Sequence, residues 1–181
     1  ISIEKKMNLK KYIRSIPDYP KKGILFRDIT TLIKNEKAFA ESINQIVDRS
    51  KKYNIDKIAA IESRGFVFAS AVSYILKKPF ILLRKKNKLP AETYSVDFKL
   101  EYGTATIEVH KDSIDKDDSV LIIDDLIATG GTANAAAKLV EVSGGNVVAF
   151  VFAINLFDLG GCDKLIENGY KVENLMDFPG H

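Results

Sequence analysis

The sequence predicts an α/β fold in which helices flank a central parallel β-sheet. Short runs of β-branched and aliphatic residues alternate with longer segments whose apolar residues recur at helical spacing. Pro79 and Gly144 mark boundaries between such segments. The apolar run 120–123 ends abruptly in Asp124 and Asp125. Acidic side chains are expected there if a buried strand ends at the ligand-binding edge of a parallel sheet.

The composition is typical of a soluble globular protein. The chain has 181 residues, 46% hydrophobic and 28% charged, which fits one domain over 1–181 with a sizeable core. A net charge of +3 gives no argument for a nucleic acid partner, and no apolar run is long enough to cross a membrane. Cys162 is the only cysteine, which excludes an intrachain disulfide and indicates a reducing, cytoplasmic location.

The N-terminal part contains one well-defined helical segment. Residues 1–11 mix apolar residues with lysines and predict a short amphipathic helix. Residues 16–23 are rich in turn-forming residues, and three apolar residues, 24–26, follow them. A helix is predicted over 36–53 because its apolar residues recur every three or four positions.

The central part predicts two buried strands, 57–61 and 80–83, on either side of a helix that carries 66–76. A basic loop, 84–89, follows the second strand. Two further segments alternate in polarity, which is typical of a hairpin-like arm, and they span 93–100 and 104–109.

The C-terminal part continues the alternation. A third core strand is predicted over 120–123, followed by a helix that runs to about residue 142. A fourth strand covers 146–154, residues 164–167 belong to a last helix, and 171–175 form a short final strand.

The strongest chemical signal is the aspartate pair followed by a Gly-rich turn. A Walker B aspartate would need a partner G-x-x-x-x-G-K-[ST] loop, which this chain lacks. Carboxylates of Asp124 and Asp125 suit sugar hydroxyls or a metal. Gly130 and Gly131 permit close backbone approach to a ligand, and Thr132 is able to cap a helix or bind phosphate. Together these groups predict a sugar phosphate site.

The stretch 120–132 resembles the phosphoribosyl-pyrophosphate (PRPP) binding signature of type I phosphoribosyltransferases. Further motifs, in the expected order, resemble the members of that family that act on adenine. They are 16–20 (IPDYP), 23–30 (GILFRDIT), 62–66 (ESRGF), 83–85 (LRK) with 88–90 (KLP), and 100–103 (LEYG). The resemblance implies the type I fold, with a small N-terminal hood over about 16–34 and a mobile catalytic loop and arm over about 84–106.

The resemblance also implies roles for single residues at the end of the third strand. Asp124 and Asp125 would hold the ribose hydroxyls of PRPP, in line with the chemistry inferred above. The 5′-phosphate would be bound by backbone N–H groups of the loop Ala128, Thr129, Gly130, Gly131 and Thr132.

The pyrophosphate end of PRPP would be bound by residues from two other loops, Glu62, Ser63, Arg64 and Lys85. Arg64 suits this role because a cation at a helix start is otherwise disfavoured by the helix dipole. The catalytic residues implied by the resemblance are Glu101, Arg64, Arg84 and Lys88.

Adenine would be bound by the hood residues Leu25, Phe26 and Arg27. Phe26 would stack on the purine, whereas the more ordinary interpretation is a core phenylalanine. Glu101 would exchange the purine proton, with Tyr102 shielding the reacting centre; without the resemblance, Glu101 would be a solvent-facing glutamate.

Two positions depart from the family pattern. Lys86-Asn87 stands where the family often has a glycine, and asparagine tolerates left-handed backbone geometry better than most residues. Ala69-Ser70 replaces a Gly-Pro or Gly-Ala pair, a change expected to affect helix packing.

The implied reaction joins adenine to PRPP to give AMP and pyrophosphate, in purine salvage. Mg²⁺ is implied as the cofactor, held mainly by PRPP and water rather than by a dedicated protein cage. A homodimer is implied as well. The alternatives are an enzyme for hypoxanthine, guanine or xanthine, a non-catalytic PRPP-sensing regulator, and a module that only binds a phosphosugar.

Overall fold

Strands and helices alternate over much of the chain, as the sequence predicts, although four strands follow one another between residues 80 and 127. The structure, a computed structural model, describes residues 7–100 and 103–181. The strands are β1 Arg14–Pro17, β2 Leu25–Asp28, β3 Lys57–Ile61, β4 Phe80–Lys85, β5 Thr93–Lys99, β6 Thr104–His110, β7 Ser119–Ile127, β8 Asn146–Leu156 and β9 Val172–Phe178. The helices are α1 Thr30–Ile33, α2 Glu36–Ser50, α3 Arg64–Leu76, α4 Gly131–Val142 and α5 Gly161–Glu167, with 3₁₀ turns at Leu9–Tyr12 and Phe157–Leu159.

The larger sheet has seven strands in the order β5-β6-β4-β3-β7-β8-β9. The five strands β4, β3, β7, β8 and β9 run parallel to one another, which confirms the predicted parallel centre. The chain passes from β3 to β4 on one side and later adds β7 on the other side of β3. This reversal creates a crevice between the carboxyl ends of β3 and β7, where ligands bind in open α/β sheets.

Apolar side chains cover both faces of this sheet. Along β7, Leu121 and Ile123 belong to one buried cluster, whereas Val120 and Ile122 belong to another. The alternation follows from the pleat, which points successive side chains to opposite faces. Helices α2 and α3 pack in the first cluster and α4 in the second. Within the described ranges, no helix combines the length and the apolar character that crossing a bilayer requires.

The predicted hairpin-like arm forms as an antiparallel pair, β5 and β6. It does not stand apart from the sheet, because β6 also pairs with the end of β4 through Arg84↔Glu108 and Lys85↔Ile107. Pairing with β6 extends β4 to Lys85, so Arg84 and Lys85 lie in a strand and the predicted basic loop begins later.

Strand β7 also continues beyond its predicted end at residue 123. Its partner β8 pairs with Asp124 through Phe152 and with Leu126 through Ile154, which keeps the backbone extended to Ile127. Pairing along the whole strand therefore outweighs the low strand preference of aspartate. The predicted helix 36–53 is α2, and it ends earlier, at Ser50.

The N-terminal part differs most from prediction. The amphipathic helix predicted over 1–11 lies partly outside the described residues, and Leu9–Tyr12 form only a 3₁₀ turn. The turn-rich segment is the connection of a hairpin, since β1 pairs antiparallel with β2. Arg14 Nε donates to Asp28 Oδ2 at 3.0 Å across this pair. Asp28 Oδ1 also accepts from the Thr30 N–H at 2.9 Å, which joins the hairpin to α1.

Candidate active site

A cavity of about 600 Å³ lies at the carboxyl ends of β3 and β7. It has three walls: the turn from β3 to α3, the end of β7 with the turn into α4, and residues of the arm such as Phe98 and Thr106. The cavity brings together most of the predicted PRPP-binding residues, namely Glu62, Ser63, Arg64, Lys85, Asp124, Asp125, Ala128, Thr129, Gly130, Gly131 and Thr132.

The aspartate pair is the most constrained part of the cavity. Asp124 Oδ1 accepts a hydrogen bond from the Asp125 backbone N–H at 2.8 Å. Burial and the negative charge of Asp125 raise the pKa of Asp124 well above its ordinary value. Gly65 of α3 packs against this pair so closely that a Cβ there would lie 2.8 Å from Asp124 Oδ1. The start of α3 therefore holds Asp124 in place.

Arg64 connects the aspartates to the hood. Its Nε lies 2.8 Å from Oδ2 of Asp125, a carboxylate that is almost fully buried. The guanidinium carbon lies 5.6 Å from the centre of the Phe26 ring, within the range of a cation–π contact. These two contacts explain why a cation is stable at the first residue of a helix, where the dipole opposes it.

The Gly-rich turn leads from β7 into the twelve-residue helix α4. Gly130 has left-handed backbone geometry, with φ of +87°, which a residue with a side chain rarely adopts. The N-cap of α4 is Gly130 and not Thr132, and no side chain caps this end of the helix. The N–H groups of the first helical turn have no intrahelical acceptors and are suited to bind an anion.

Gly161 packs against this turn and supports it, a role that the sequence did not predict. Its N–H donates to the Ala128 carbonyl at 3.1 Å. A Cβ on Gly161 would lie 2.5 Å from that carbonyl oxygen and 2.6 Å from the Gly130 nitrogen. The only available signal was the Gly160-Gly161 pair ahead of the last helix, and its contact with the turn is visible only in three dimensions.

The basic segment reaches the cavity only in part. Glu62 Oε1 accepts from the Lys85 N–H at 2.6 Å and lies 3.4 Å from Arg84 Nε. Arg84 Nη1 donates to the Lys88 carbonyl at 3.4 Å. Lys85 lines the cavity, whereas Arg84 and Lys88 are outside its lining. Asn87 has a φ of +66°, the left-handed geometry that asparagine tolerates.

The predicted adenine-binding residues Leu25, Phe26 and Arg27 lie on β2, and none of them lines the cavity. Phe26 is only partly buried and belongs to neither core cluster, so it is not a core phenylalanine. Its ring packs edge-on against Tyr19, with the ring centres 5.1 Å apart.

The contacts of the Arg27 side chain attach the hood to the rest of the protein. Nη1 donates to Ser15 Oγ at 2.6 Å, and Nη2 donates to the Pro179 carbonyl at 2.9 Å. The guanidinium also lies over the Phe178 ring at 4.7 Å. These contacts join the hood to the C-terminal segment and leave only the backbone of Arg27 to contact a base.

Glu101 and Tyr102 lie outside the described residues, so their roles stay predictions. The neighbouring part of the arm does reach the cavity, because Leu100 lines it. In addition, the Lys99 carbonyl lies 3.6 Å from where a Cβ on Gly131 would be, which places the end of β5 against the Gly-rich turn.

No group of three or more His, Cys, Asp or Glu side chains in 7–100 and 103–181 is arranged to bind a metal ion. The cavity instead offers the carboxylate oxygens of Asp124 and Asp125. Two carboxylates next to a Gly-rich turn suit a hard cation that keeps much of its water and shares a ligand's oxygens.

Both the sequence and the fold of the chain match those of known proteins. The family model for a phosphoribosyl transferase domain matches residues 28–172. The chain is 85% identical over 175 residues to an adenine phosphoribosyltransferase of Pelagibacter ubique, an alignment that covers 97% of this chain and 100% of that protein.

Solved structures extend the comparison to three dimensions. Adenine phosphoribosyltransferase from Thermoanaerobacter pseudethanolicus is 47% identical with a TM-score of 0.90, covering 94% of this chain and 98% of that one. The Saccharomyces cerevisiae enzyme, complexed with adenine and an imino-altritol bisphosphate, is 34% identical with a TM-score of 0.86, covering 93% and 96%. The chain therefore belongs to the phosphoribosyltransferase family, among the adenine phosphoribosyltransferases.

Proposed function

We propose that the chain transfers the 5-phosphoribosyl group of PRPP to adenine, giving AMP and pyrophosphate in purine salvage. One observation carries this proposal: two carboxylates and a turn suited to bind an anion line the same cavity. The proposal takes 1–181 as one phosphoribosyltransferase domain, with a hood over 16–34 and a mobile loop over 84–106.

In this proposal, the protein binds PRPP at three points. Asp124 and Asp125 accept hydrogen bonds from the ribose hydroxyls, and N–H groups of the turn from Ala128 to Thr132 bind the 5′-phosphate. Glu62-Ser63-Arg64 and Lys85 also line the cavity and bind the pyrophosphate. Fixing both ends of PRPP presents C1 of the ribose to the incoming base.

Adenine N9 attacks C1 as the bond from C1 to the pyrophosphate oxygen breaks, and positive charge develops on the ribose. Arg64, Arg84 and Lys88 stabilise the negative charge of the leaving pyrophosphate. Mg²⁺ would be held mainly by PRPP oxygens and water, with Asp124 and Asp125 as the carboxylates at hand in the cavity, and when bound it would supply further positive charge at the phosphates.

The base is held between the hood and the reacting carbon. Phe26 stacks on the purine while the backbone of Leu25 and Arg27 contacts its edge. Glu101 accepts or donates the purine proton. Closure of the loop and arm over PRPP keeps water from competing with the base.

The assembly proposed is a homodimer. Apolar side chains are exposed on α3 and on the neighbouring strand β4, where Tyr74 is 85% exposed, Ile75 47% and Leu82 39%. Such a surface favours association with a second copy, since isologous dimers bury one patch on each subunit. Sedimentation that finds only monomer at micromolar concentration would contradict this. The single cysteine supports the cytoplasm as the site of the reaction.

The direct test is to incubate the protein with PRPP, Mg²⁺ and adenine, and to measure AMP and pyrophosphate. We expect the two products in equal amounts and little or no product with hypoxanthine, guanine or xanthine. A different purine monophosphate would reassign the base. PRPP binding without pyrophosphate release would indicate a regulator or a binding module instead. As a control, the double variant Asp124→Asn with Asp125→Asn should lose both PRPP binding and turnover.

A further inference from the structure

A carboxylate outside the cavity organises the basic segment. Glu108 lies on β6, where it pairs with Arg84 on β4 and with Ser95 on β5. It is 8% exposed and does not line the cavity. A buried acidic residue in the middle of a three-stranded segment needs hydrogen-bond partners that offset its loss of water.

Three donors satisfy this carboxylate. The Asn87 N–H donates to Oε1 at 2.8 Å. The hydroxyls of Thr93 and Ser95 donate to Oε2 at 3.0 and 2.7 Å. The hydrogen bonds from Ser95 and Asn87 hold the pKa of Glu108 below its ordinary value, so the side chain is ionised at neutral pH. One oxygen thus binds the turn after β4, and the other binds β5, the second strand of the arm.

The cations lie at the end of β4 and in the turn that Glu108 holds. Asn87 is the left-handed residue of the turn, and the Lys88 N–H donates back to the Lys85 carbonyl at 3.3 Å. A second bond, from the Lys86 N–H to the Thr106 carbonyl at 3.2 Å, also ties the turn to β6. Two hydrogen bonds therefore join the turn to the arm strand β6.

The arm in turn touches the Gly-rich turn at its far end, where Lys99 approaches Gly131. We propose that Glu108, on the arm strand β6, is a positioning residue that fastens the end of β4 and the turn after it, which carry Arg84, Lys85 and Lys88, to the arm, so that these cations and the arm close on PRPP together. The proposal rests on the proposed function and adds to it a residue that acts without touching the substrate.

The test compares steady-state kinetics of Glu108→Ala, Glu108→Gln and the wild type. Alanine leaves three donors without an acceptor, and we expect kcat/KM for PRPP to fall about tenfold or more, with KM for adenine within about twofold. Glutamine still accepts from Asn87, and both hydroxyls are able to accept from its amide, so it should restore most of the activity. Asp97→Ala is the matched control, because Asp97 accepts from Thr106 within the arm and does not contact the turn.

A second variant keeps the proposal testable if Glu108→Ala does not fold. Thr93→Val combined with Ser95→Ala leaves the carboxylate bonded to the turn but removes its two hydrogen bonds to β5, and it should lower kcat/KM for PRPP in the same selective way. The loss from either variant should also shrink when Lys88→Ala is already present, because Glu108 acts through the cations.

The results distinguish a failure of the proposed function from a failure of the proposed role of Glu108. A wild-type protein that forms no AMP overturns the proposed function. An active wild type overturns the role of Glu108 if the Thr93/Ser95 variant keeps wild-type kcat/KM for PRPP. The role is also overturned if losses are equal for both substrates and add fully to that of Lys88→Ala, as expected of a residue that only stabilises the fold.

Discussion

Arg64 Nε lies 2.8 Å from Oδ2 of Asp125, so two residues with opposite predicted tasks are bound to each other. One is predicted to bind pyrophosphate and the other to bind ribose. The ion pair neutralises a buried carboxylate and orients the guanidinium of Arg64, a cavity-lining residue whose side chain stays about half exposed.

Replacing Arg64 tests the importance of this pair. Arg64→Ala leaves Asp125 buried without its cation and removes a charged donor to the ligand. We expect kcat/KM for PRPP to fall by at least about tenfold, the equivalent of one charge-assisted hydrogen bond. Arg64→Lys should be intermediate, since lysine keeps the charge but not the planar fork. Unchanged PRPP kinetics in Arg64→Ala would contradict the assignment.

Gly65 should tolerate no side chain. In Gly65→Ala the Cβ would lie 2.8 Å from Asp124 Oδ1 and 3.2 Å from the Ile123 carbonyl oxygen. Overpacking of this kind costs about 1–3 kcal/mol of unfolding free energy, and displacement of Asp124 should raise KM for PRPP.

Gly131→Ala is the stability control for Gly65→Ala. It also places a Cβ at a helix start, but that atom meets only the Lys99 carbonyl at 3.6 Å, an ordinary contact. Urea unfolding of both variants measures the difference. Equal stabilities would mean that the close packing at Gly65 has no energetic consequence.

The contribution of Asp124 to the free energy of unfolding of the ligand-free protein should be less favourable at neutral pH than in acid. Burial and the charge of Asp125 raise the pKa of Asp124 above its ordinary value of 3.8. The unfolded chain therefore loses this proton at a lower pH than the folded chain does. Stability consequently falls as pH rises from the ordinary pKa through the raised one, and then stays level.

Asp124→Asn removes this titration. We expect it to be more stable than the wild type at pH 7 and to lose that advantage as the pH is lowered towards 3.8, although its PRPP binding should be weakened. Unfolding by urea at several pH values measures the difference. A stability difference that is independent of pH would show that the pKa of Asp124 is not raised.

Gly161 should be needed for phosphate binding even though it lies on another element. In Gly161→Ala the new Cβ would lie 2.5 Å from the Ala128 oxygen, so the Gly-rich turn must shift. Loss of one well-placed donor to a phosphate corresponds to about 10- to 100-fold in PRPP binding. Asp163→Ala, on the same helix, is the control and should bind PRPP normally. Titration calorimetry with PRPP distinguishes the two.

Local patterns predicted those parts of the fold that depend on contiguous sequence. Strand β3 runs from Lys57 to Ile61, the bounds predicted from its apolar run. Strand β1 and the extensions of β4 and β7 were not predicted, because each depends on a partner strand that is distant in sequence or belongs to another segment. Charged residues such as Arg84 and Asp124 lie in strands only because those partners are present.

In the candidate site, too, residues that are contiguous in sequence could be predicted, whereas residues brought together only by folding could not. Asp124, Asp125 and the Gly-rich turn form one continuous stretch, and their chemistry could be inferred directly. Gly161 and Glu108 act through side chains and backbone brought close by folding, so no local pattern distinguishes them from an ordinary turn glycine and an ordinary strand glutamate.

The central claim is that the aspartate pair and the adjoining turn bind the two parts of a phosphorylated pentose. A crystal structure of the protein with AMP tests it most directly. We expect the 5′-phosphate within hydrogen-bond distance of the N–H groups of residues 128–132, with the ribose hydroxyls on Asp124 and Asp125. AMP bound elsewhere, with the turn making no contact to its phosphate, would contradict it.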